Sequence, residues 1–247
     1  MDWHKRFVQQ ATWTESLRHY LFERAGMGKA SRVLEVGCGT GALLNDLATN
    51  AAVHGLDLDP RCLVEAHWHA PQAFLTCGDG MTLPYGSGSF DIIFCHFLLL
   101  WVRDPLQALM EMKRVTRPGG SVLALAEPDY NARLDKPDAL VTLGRLQTEA
   151  LRQQGANPGL GGRLAQLFQK AGLPPIETGV LQADLKYAPS STERLLEWTI
   201  LENDLAGMLP AEELQRLKGL DRAAWESGER VLYVPTYFAW GRVTQMV

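Results

Sequence analysis

The chain has 247 residues, of which 46% are apolar and 21% charged, with a formal net charge of −4. This composition is typical of a globular protein with one sizeable core, and the mild acidity speaks against a general affinity for phosphate backbones. The amino terminus lacks the apolar stretch of a signal peptide, and the most apolar run, from Phe90 to Val102, is too short to cross a bilayer. We therefore expect a cytoplasmic protein that binds neither nucleic acid nor membrane, while its oligomeric state stays open.

Apolar residues recur at three- and four-residue spacing near the start of the chain, which predicts an N-terminal helical cap over residues 1–29. Short apolar segments, typical of strands that are covered on both faces, then alternate with helical ones. The predicted strands are Arg32–Val36, Val53–Leu58, Ala73–Cys77, Phe90–Cys95 and Ser121–Glu127. Asp59-Pro60 and Asp104-Pro105 predict the starts of two helices, because each pairs an N-cap carboxylate with proline at the first helical position. Pro118-Gly119-Gly120 predicts a tight turn into the fifth strand.

After Glu127 the regular alternation ends. Further predicted elements are helices over 138–154 and 163–171, a strand over 176–187, a helical stretch over 191–228 and a last strand over 231–243. The helical stretch carries one apolar stripe, formed by Leu195, Trp198, Leu201, Leu205 and Met208. Together these elements predict an α/β fold with a doubly wound, Rossmann-like, seven-stranded and mostly parallel sheet. We expect a single domain over residues 1–247, with residues 191–228 inserted as a helical lid.

Three alternate glycines, Gly37, Gly39 and Gly41, follow the first predicted strand, and Ala42 is expected to open a helix. Without Cβ atoms, a ligand can lie directly against the main chain there. A dinucleotide-binding loop reads G-x-G-x-x-G, but here the third glycine comes one residue early. Asp57 lies 20 positions after Gly37 (57 − 37), at the end of the second predicted strand. A carboxylate there can accept hydrogen bonds from ribose hydroxyls, so loop and acid together predict a nucleoside-containing ligand.

In these motifs and their order, residues 32–127 resemble the class I methyltransferases that use S-adenosylmethionine (SAM), in particular the small-molecule group similar to methyltransferase type 11. Further stretches that carry the resemblance are Gly78–Met81, Phe90–His96 and Arg117–Gly120. The resemblance implies SAM as the cofactor, with its methionine portion on the first motif, its ribose on Asp57 and its adenine amino group on Asp79. The cofactor-binding residues that it implies are Glu35, Gly37, Cys38, Gly39, Asp57, Leu58, Asp79, Gly80, Met81 and Cys95. For Cys95, a packed thiol is the alternative.

Catalytic candidates are expected just past the ends of the fourth and fifth strands, which face the methyl group in this fold. His96 is the predicted general base, because imidazole titrates near neutral pH, and Glu127 is the second candidate. Each has a structural alternative, His96 as a histidine bonded to backbone and Glu127 as a cap of its strand. The predicted acceptor contacts are Trp13, Tyr130 and Trp198, and for both tryptophans a plain core position is the alternative.

No metal site is expected. His67 and His69 are two residues apart on a predicted helix, so their rings point in different directions. The four cysteines match no C-x-x-C site and are expected to be reduced.

The resemblance implies methyl transfer from SAM to a small-molecule acceptor by in-line displacement. Three alternatives stay open at this point. They are a SAM-dependent modifier of RNA or protein, a SAM-binding protein without methyl transfer, and a nicotinamide-dependent enzyme, which the glycine spacing disfavours. The acceptor molecule and its acceptor atom do not follow from the sequence.

Overall fold

The computed structural model describes residues 2–47, 51–181 and 189–244. Its strands are β1 (Arg32–Val36), β2 (Ala52–Asp57), β3 (Phe74–Cys77), β4 (Phe90–Cys95), β5 (Thr116–Pro128), β6 (Leu134–Lys136), β7 (Pro175–Val180), β8 (Val231–Tyr233) and β9 (Thr236–Arg242). Its α-helices are α1 (Trp3–Trp13), α2 (Glu15–Ala25), α3 (Pro60–His69), α4 (Pro105–Val115), α5 (Val141–Gln153), α6 (Leu164–Lys170), α7 (Ser191–Asp204) and α8 (Ala211–Ser227).

The main sheet confirms the predicted fold class. Within the described residues it has seven strands in the order β3-β2-β1-β4-β5-β9-β7, and β9 is the one strand of the seven that runs opposite to the other six. β6 and β8 form a separate antiparallel pair. The carboxyl ends of β1, β2, β4 and β5 therefore meet at one edge of the sheet, where a doubly wound fold binds its ligand.

Helices cover both faces of this sheet. Leu21 and Phe22 of α2 pack on one face, and Leu109 of α4 and Phe168 of α6 pack on the other. A smaller cluster, which includes Trp198, joins α5, α7 and α8. No helix in the described part of the chain has the length and the hydropathy needed to cross a membrane.

The two Asp-Pro signals correctly predict helix starts. The carboxylate of Asp59 accepts a hydrogen bond from the Arg61 N–H at 2.9 Å, and that of Asp104 accepts from the Gln107 N–H at 3.0 Å. Both helices have proline in the first turn. Backbone N–H groups there have no partner within the helix, so the N–H that proline lacks costs no hydrogen bond.

Several predicted boundaries were wrong. The N-terminal cap is two helices rather than one, and they meet at Thr14. No α-helix begins at Ala42, because the chain turns at Gly41 with a φ of 78° and continues as a three-residue 3-10 turn, Leu44–Asp46. The turn expected at 118–120 is part of β5, which begins at Thr116 with an irregular register against β4.

The predicted elements near the carboxyl terminus also divide. The strand expected over 231–243 is two strands that lie in different sheets, since Pro235 between them cannot donate to a ladder. The strand expected over 176–187 ends at Val180, and residues 182–188 lie outside the described residues. The stretch over 191–228 is two helices, and Leu195 of the predicted stripe is 62% exposed.

Candidate active site

Two cavities meet at the carboxyl edge of the sheet. The first, which we call the glycine-loop cavity, has a volume of about 320 Å³ and lies between residues 35–39, Asp57 and helix α1. The second, the lid cavity, has about 530 Å³ and lies between α1, α7, α8 and β8. Arg6, Phe97 and Tyr130 line both cavities, so the two form adjoining parts of one site.

The glycine loop is fastened to the neighbouring strand. The N–H groups of Gly37 and Cys38 both donate to the carbonyl of Leu56, at 2.7 and 3.0 Å. Gly37 has a φ of 75°, and a Cβ at this position would lie 2.6 Å from Leu98. The backbone angle therefore favours glycine here, and a side chain would push aside the end of Leu98, which lines the cavity beside it.

Asp57 stands at the end of β2 with its carboxylate on the wall of the glycine-loop cavity. Its Oδ2 accepts a hydrogen bond from the Gly39 N–H at 2.8 Å, and its Oδ1 accepts from the Asp59 N–H at 2.9 Å. These two bonds hold the carboxylate at the loop, and each oxygen keeps further acceptor capacity for a ribose hydroxyl.

Glu35 carries the unsatisfied polar atom of this cavity. Its side chain is 3% exposed and lines the cavity, and its Oε2 has no hydrogen-bond partner within the described residues. Burial raises the pKa of Glu35 well above its ordinary value, and Arg18 partly opposes this shift. A buried carboxylate oxygen at a cavity wall fits a ligand's ammonium group, such as the one on the methionine portion of SAM.

Other residues implied by the resemblance lie outside the cavity walls. Leu58 is 69% exposed, and Asp79 folds back to accept from the Met81 N–H at 2.8 Å. Gly80 lies against Val36, whose Cγ1 would be 3.1 Å from an added Cβ. Leu58 follows the end of β2, and Gly80 lies against the end of β1. The cofactor contacts of these residues stay predictions.

Cys95 does not face the cavity. It is fully buried, and its thiol points to Glu127 Oε1 at 4.0 Å. Burial raises the pKa of the Cys95 thiol well above its ordinary range. In the structure Cys95 is therefore a packed thiol, which was the alternative to a cofactor contact.

His96 lies on the wall of the glycine-loop cavity, as expected, but its chemistry differs from the prediction. Its Nε2 lies 2.9 Å from Thr14 Oγ1, and Thr14 in turn accepts a hydrogen bond from Arg18 Nη1 at 3.0 Å. Desolvation, aided by the positive charge of Arg18, lowers the pKa of His96 to about 3. The imidazole is therefore neutral near pH 7 and does not titrate there, and its partner is a side chain rather than backbone.

Glu127 is fully buried and does not line either cavity. Its carboxylate accepts hydrogen bonds from the N–H groups of Leu98, Leu99 and Leu100, at 3.1, 2.9 and 3.1 Å. Burial raises its pKa to about 7, although these three bonds act in the other direction. In the structure Glu127 thus holds the loop that follows β4 in place, and its catalytic role stays a prediction.

That loop also contains backbone strain. Phe97 has a φ of 52°, the one positive value at a non-glycine residue among those described. Its N–H donates to the Ala126 carbonyl at 2.9 Å, and its ring lies in the wall shared by the two cavities. A strained residue at such a join is typical of a functional site.

The predicted acceptor contacts do come together. Trp13, Tyr130 and Trp198 all line the lid cavity, although their segments are far apart in the sequence. Trp198 is also a core residue, since it is 5% exposed and its Nε1 donates to Asp221 Oδ2 at 2.8 Å. Helix α7 thus forms one wall of the lid cavity, and its role as a lid stays a prediction.

Sequence reasoning missed several polar residues of the site. Arg6, Gln10, Gln147, Gln154 and Asp204 line one or both cavities. Asp204 accepts from the side-chain amides of Gln147 and Gln154 at 3.4 and 3.1 Å. Four of them lie on helices and Gln154 follows the end of α5, and no local pattern distinguishes any of them from a solvated position.

Among the residues that the structure describes, no group of three or more histidine, cysteine, aspartate or glutamate side chains could hold a metal ion. His69, which the sequence reasoning had weighed as a ligand, stacks on His4 of α1 with ring centroids 3.3 Å apart.

Comparison with known proteins agrees with this arrangement. Residues 34–124 match the family described as "Methyltransferase domain". A 37.1 kDa protein in transposon TN4556 of Streptomyces fradiae is 30% identical over 224 residues, covering 85% of this chain and 64% of that protein. A demethylmenaquinone methyltransferase of Staphylococcus haemolyticus is 29% identical over 213 residues, covering 76% of this chain and 87% of its own length.

Solved structures share the fold. A phosphoethanolamine N-methyltransferase 2 of Haemonchus contortus, solved with S-adenosylhomocysteine, superposes with a TM-score of 0.57 at 17% identity, covering 96% of this chain and 57% of that one. The chain spans less than two thirds of the length of several curated relatives, the Streptomyces protein among them.

Proposed function

We propose, from the premise that this chain carries a class I SAM-dependent methyltransferase domain, that it transfers a methyl group from SAM to a small-molecule acceptor in the lid cavity. The proposal rests on one observation, that the two cavities adjoin each other and share Arg6, Phe97 and Tyr130 as lining residues. A cofactor on the glycine loop and an acceptor beneath α7 would meet there. When bound, SAM supplies a methyl group that is already activated on a sulfonium.

The residues of the first cavity fit that cofactor. The unpartnered Oε2 of Glu35 suits the ammonium group, and the Asp57 carboxylate suits the ribose hydroxyls. The bare main chain at Gly37 allows close approach of the methionine portion. These contacts hold the cofactor and orient it, and the ammonium group would favour the ionised form of Glu35, against the rise in its pKa that burial causes.

At the reacting end, the protein's task is to hold the acceptor atom in line and to exclude water. Neutral His96 can donate or accept one hydrogen bond there, because its other nitrogen is tied to Thr14. With a pKa of about 3 it is a weak base, so it suits orientation of the acceptor better than abstraction of a proton near neutral pH. Helices α1 and α7 close the site over the acceptor.

The proposal is tested first by calorimetry with SAM and S-adenosylhomocysteine, and then by transfer of labelled methyl from SAM. The transfer assay offers a set of small phenols, amines and thiols beside tRNA and an unfolded protein substrate. We expect both cofactor forms to bind and label to appear in a small molecule. Absence of binding would overturn the whole proposal, and label confined to tRNA or protein would favour a macromolecular acceptor instead.

A further inference from the structure

The hydroxyl of Thr14, at the bend between α1 and α2, is the centre of a buried group of hydrogen bonds. Thr14 is 1% exposed, and Arg18, one turn later on α2, is 4% exposed. Three groups surround the Thr14 Oγ1: the Ala11 carbonyl at 3.2 Å, Arg18 Nη1 at 3.0 Å and His96 Nε2 at 2.9 Å. Because Thr14 is almost out of reach of water, these groups have to satisfy one another.

The direction of two of these hydrogen bonds is fixed by the chemistry of the partners. A carbonyl oxygen can only accept a hydrogen bond, and a guanidinium group can only donate one. Thr14 therefore donates to Ala11 and accepts from Arg18, which uses its one hydrogen and the first of its two lone pairs. The second lone pair can only accept, so His96 has to donate to it through a hydrogen on Nε2.

The opposite direction satisfies fewer groups. If Thr14 donated to His96, its hydrogen would no longer reach the Ala11 carbonyl, and its second lone pair would face no donor. Arg18 Nη1 cannot supply that donor, because it already donates to the Ala11 carbonyl as well as to Thr14, so both of its hydrogens are in use. The three contacts are satisfied together only when the hydrogen of His96 is on Nε2.

Nδ1 of His96 then carries a lone pair. The ring is neutral near pH 7, since desolvation and the charge of Arg18 lower the pKa of His96 to about 3, and a neutral imidazole has a hydrogen on one nitrogen only. No residue in the described ranges forms a hydrogen bond with Nδ1, yet the buried side-chain atoms without a partner there are Glu35 Oε2 and Tyr85 Oη. Nδ1 is therefore open to the glycine-loop cavity, which His96 lines.

From this geometry we infer that Thr14, held by Arg18, is a positioning residue that keeps the Nδ1 lone pair of His96 directed at the acceptor, and that the acceptor atom carries an O–H or N–H. An acceptor atom with lone pairs alone, as in a tertiary amine or a thioether, would meet the lone pair of Nδ1 and be disfavoured. The inference rests on the proposed function, because it takes the cavity at His96 as the place where the acceptor meets the methyl group.

The hydrogen bond to Nδ1 orients the acceptor rather than deprotonating it. A hydroxyl or amine that donates its hydrogen to His96 keeps a lone pair that can point at the methyl carbon. In the transfer this lone pair forms the new bond to carbon, and the C–S bond breaks with its electron pair left on sulfur. The acceptor keeps its hydrogen during this step and loses it to water afterwards, so a base as weak as His96 is sufficient.

The tautomer of His96 is measured directly by NMR near pH 7, on the full chain with isotope-labelled histidine. The ring hydrogen Hε1 couples to both nitrogens, whereas Hδ2 couples strongly to Nε2 alone, so the spectrum shows which nitrogen carries the hydrogen. The signals of His96 are those that disappear in His96→Gln. We expect the hydrogen on Nε2 in the wild-type protein, and a hydrogen on Nδ1 would overturn the inference.

Variants of Thr14 test its positioning role. Thr14→Val keeps the branched shape but removes the hydroxyl, so Nε2 would face the donor that Arg18 no longer gives to Thr14. We expect the ratio of tautomers to shift about tenfold toward Nδ1–H in Thr14→Val, and to keep its wild-type value in Thr14→Ser. An unchanged ratio in Thr14→Val would contradict the role of Thr14.

Thr199→Val is the matched control for the lost hydroxyl. Thr199 is exposed on α7 and donates to a helix carbonyl in the same way, that of Leu195 at 2.9 Å. It lines neither cavity within the described part of the chain, so its variant should leave the tautomer of His96 unchanged. A shift in Thr199→Val as large as that in Thr14→Val would show a general effect on the fold and overturn the inference.

The acceptor class is tested with N-methylaniline, which has an N–H, and N,N-dimethylaniline, which has none. We expect labelled methyl to enter N-methylaniline at least about tenfold faster. Equal or faster labelling of N,N-dimethylaniline would overturn the inference. The NMR measurement needs no methyl transfer, so the two proposals can fail separately. Loss of cofactor binding with the hydrogen on Nε2 would overturn the proposed function, whereas methyl transfer with the hydrogen on Nδ1 would overturn only this inference.

Discussion

The glycine-loop cavity and the lid cavity adjoin each other, yet they draw on different parts of the chain. The first takes its glycine loop, Asp57 and His96 from the ends of β1, β2 and β4 and the turns that follow them, although α1, α5 and α7 also line it. The second is closed by contacts between distant segments, such as Arg6 and Glu197, which are 191 positions apart. We therefore expect that changes on α8 and β8, which line the lid cavity but not the glycine-loop cavity, can alter acceptor preference while the cofactor site stays intact.

The largest expected effect is a loss of SAM affinity caused by a change in the glycine-loop cavity alone. Asp57→Ala should weaken SAM binding by about 1.5–3 kcal/mol for each ribose hydrogen bond lost, and two such bonds are available. Calorimetry measures the loss. Asp59→Ala is the control, since its carboxylate lies two residues away but is bound to Arg61. Equal losses in both variants would contradict the assignment of Asp57.

A second prediction addresses the lid. Leu201→Ala should lower the free energy of unfolding by about 2–5 kcal/mol, because its side chain is buried among α5, α7 and α8. Leu195→Ala, on the same helix but exposed, should change it by less than about 0.5 kcal/mol. Denaturant titration gives both values. If the lid cluster is independent of the cofactor site, SAM affinity stays unchanged in each variant. A large loss of SAM affinity would show that the two cavities depend on each other.

The third and smallest effect is on the pH dependence of stability, through Glu127 and His96 at the loop that follows β4. The pKa of Glu127 is raised from its ordinary 4.5 to about 7, so the folded state holds a proton that the unfolded state has lost. Its contribution to stability is therefore full below about pH 4.5 and falls by about 1.4 kcal/mol per pH unit up to about 7. His96 acts oppositely, because its pKa is lowered from 6.5 to about 3 and protonation favours unfolding as the pH falls below 6.5.

Between about pH 4.5 and 6.5 the two slopes should cancel in the wild-type protein. Relative to the wild-type protein, the stability of Glu127→Gln should then rise with pH over this range, and that of His96→Gln should fall. Denaturant midpoints across this range measure the slopes. Identical pH profiles in the two variants would show that neither group is buried as the structure has it.

The sequence predicted the sheet well because its signals are local. The bounds of β1 and β4 are those expected, since each is a continuous apolar run bordered by polar or glycine residues. The same reasoning placed Glu35, Gly37 and Asp57 together, because parallel strands end at one edge. The position of a strand end is thus enough to locate these side chains.

What could not be predicted depends on contacts between distant segments. The apolar spacing places Leu195 and Leu201 on the same stripe of α7. In the structure Leu201 is buried against α5 and α8, whereas Leu195 is exposed. Burial lowers the pKa of His96, and its Thr14 partner comes from a bend 82 positions earlier. Likewise Glu127 is indistinguishable in sequence from a carboxylate that faces a cavity, and the three N–H groups that it contacts become visible only in the structure.

Helix α1 touches both cavities at once. His4 Nδ1 lies 2.8 Å from Thr40 Oγ1, Phe7 lies against Gly39, and Arg6 pairs with Glu197 of the lid. Any ligand that moves this helix on the glycine loop must therefore alter the lid contact as well. Binding at the two cavities is then thermodynamically linked, and the factor by which cofactor changes acceptor affinity equals the factor by which acceptor changes cofactor affinity.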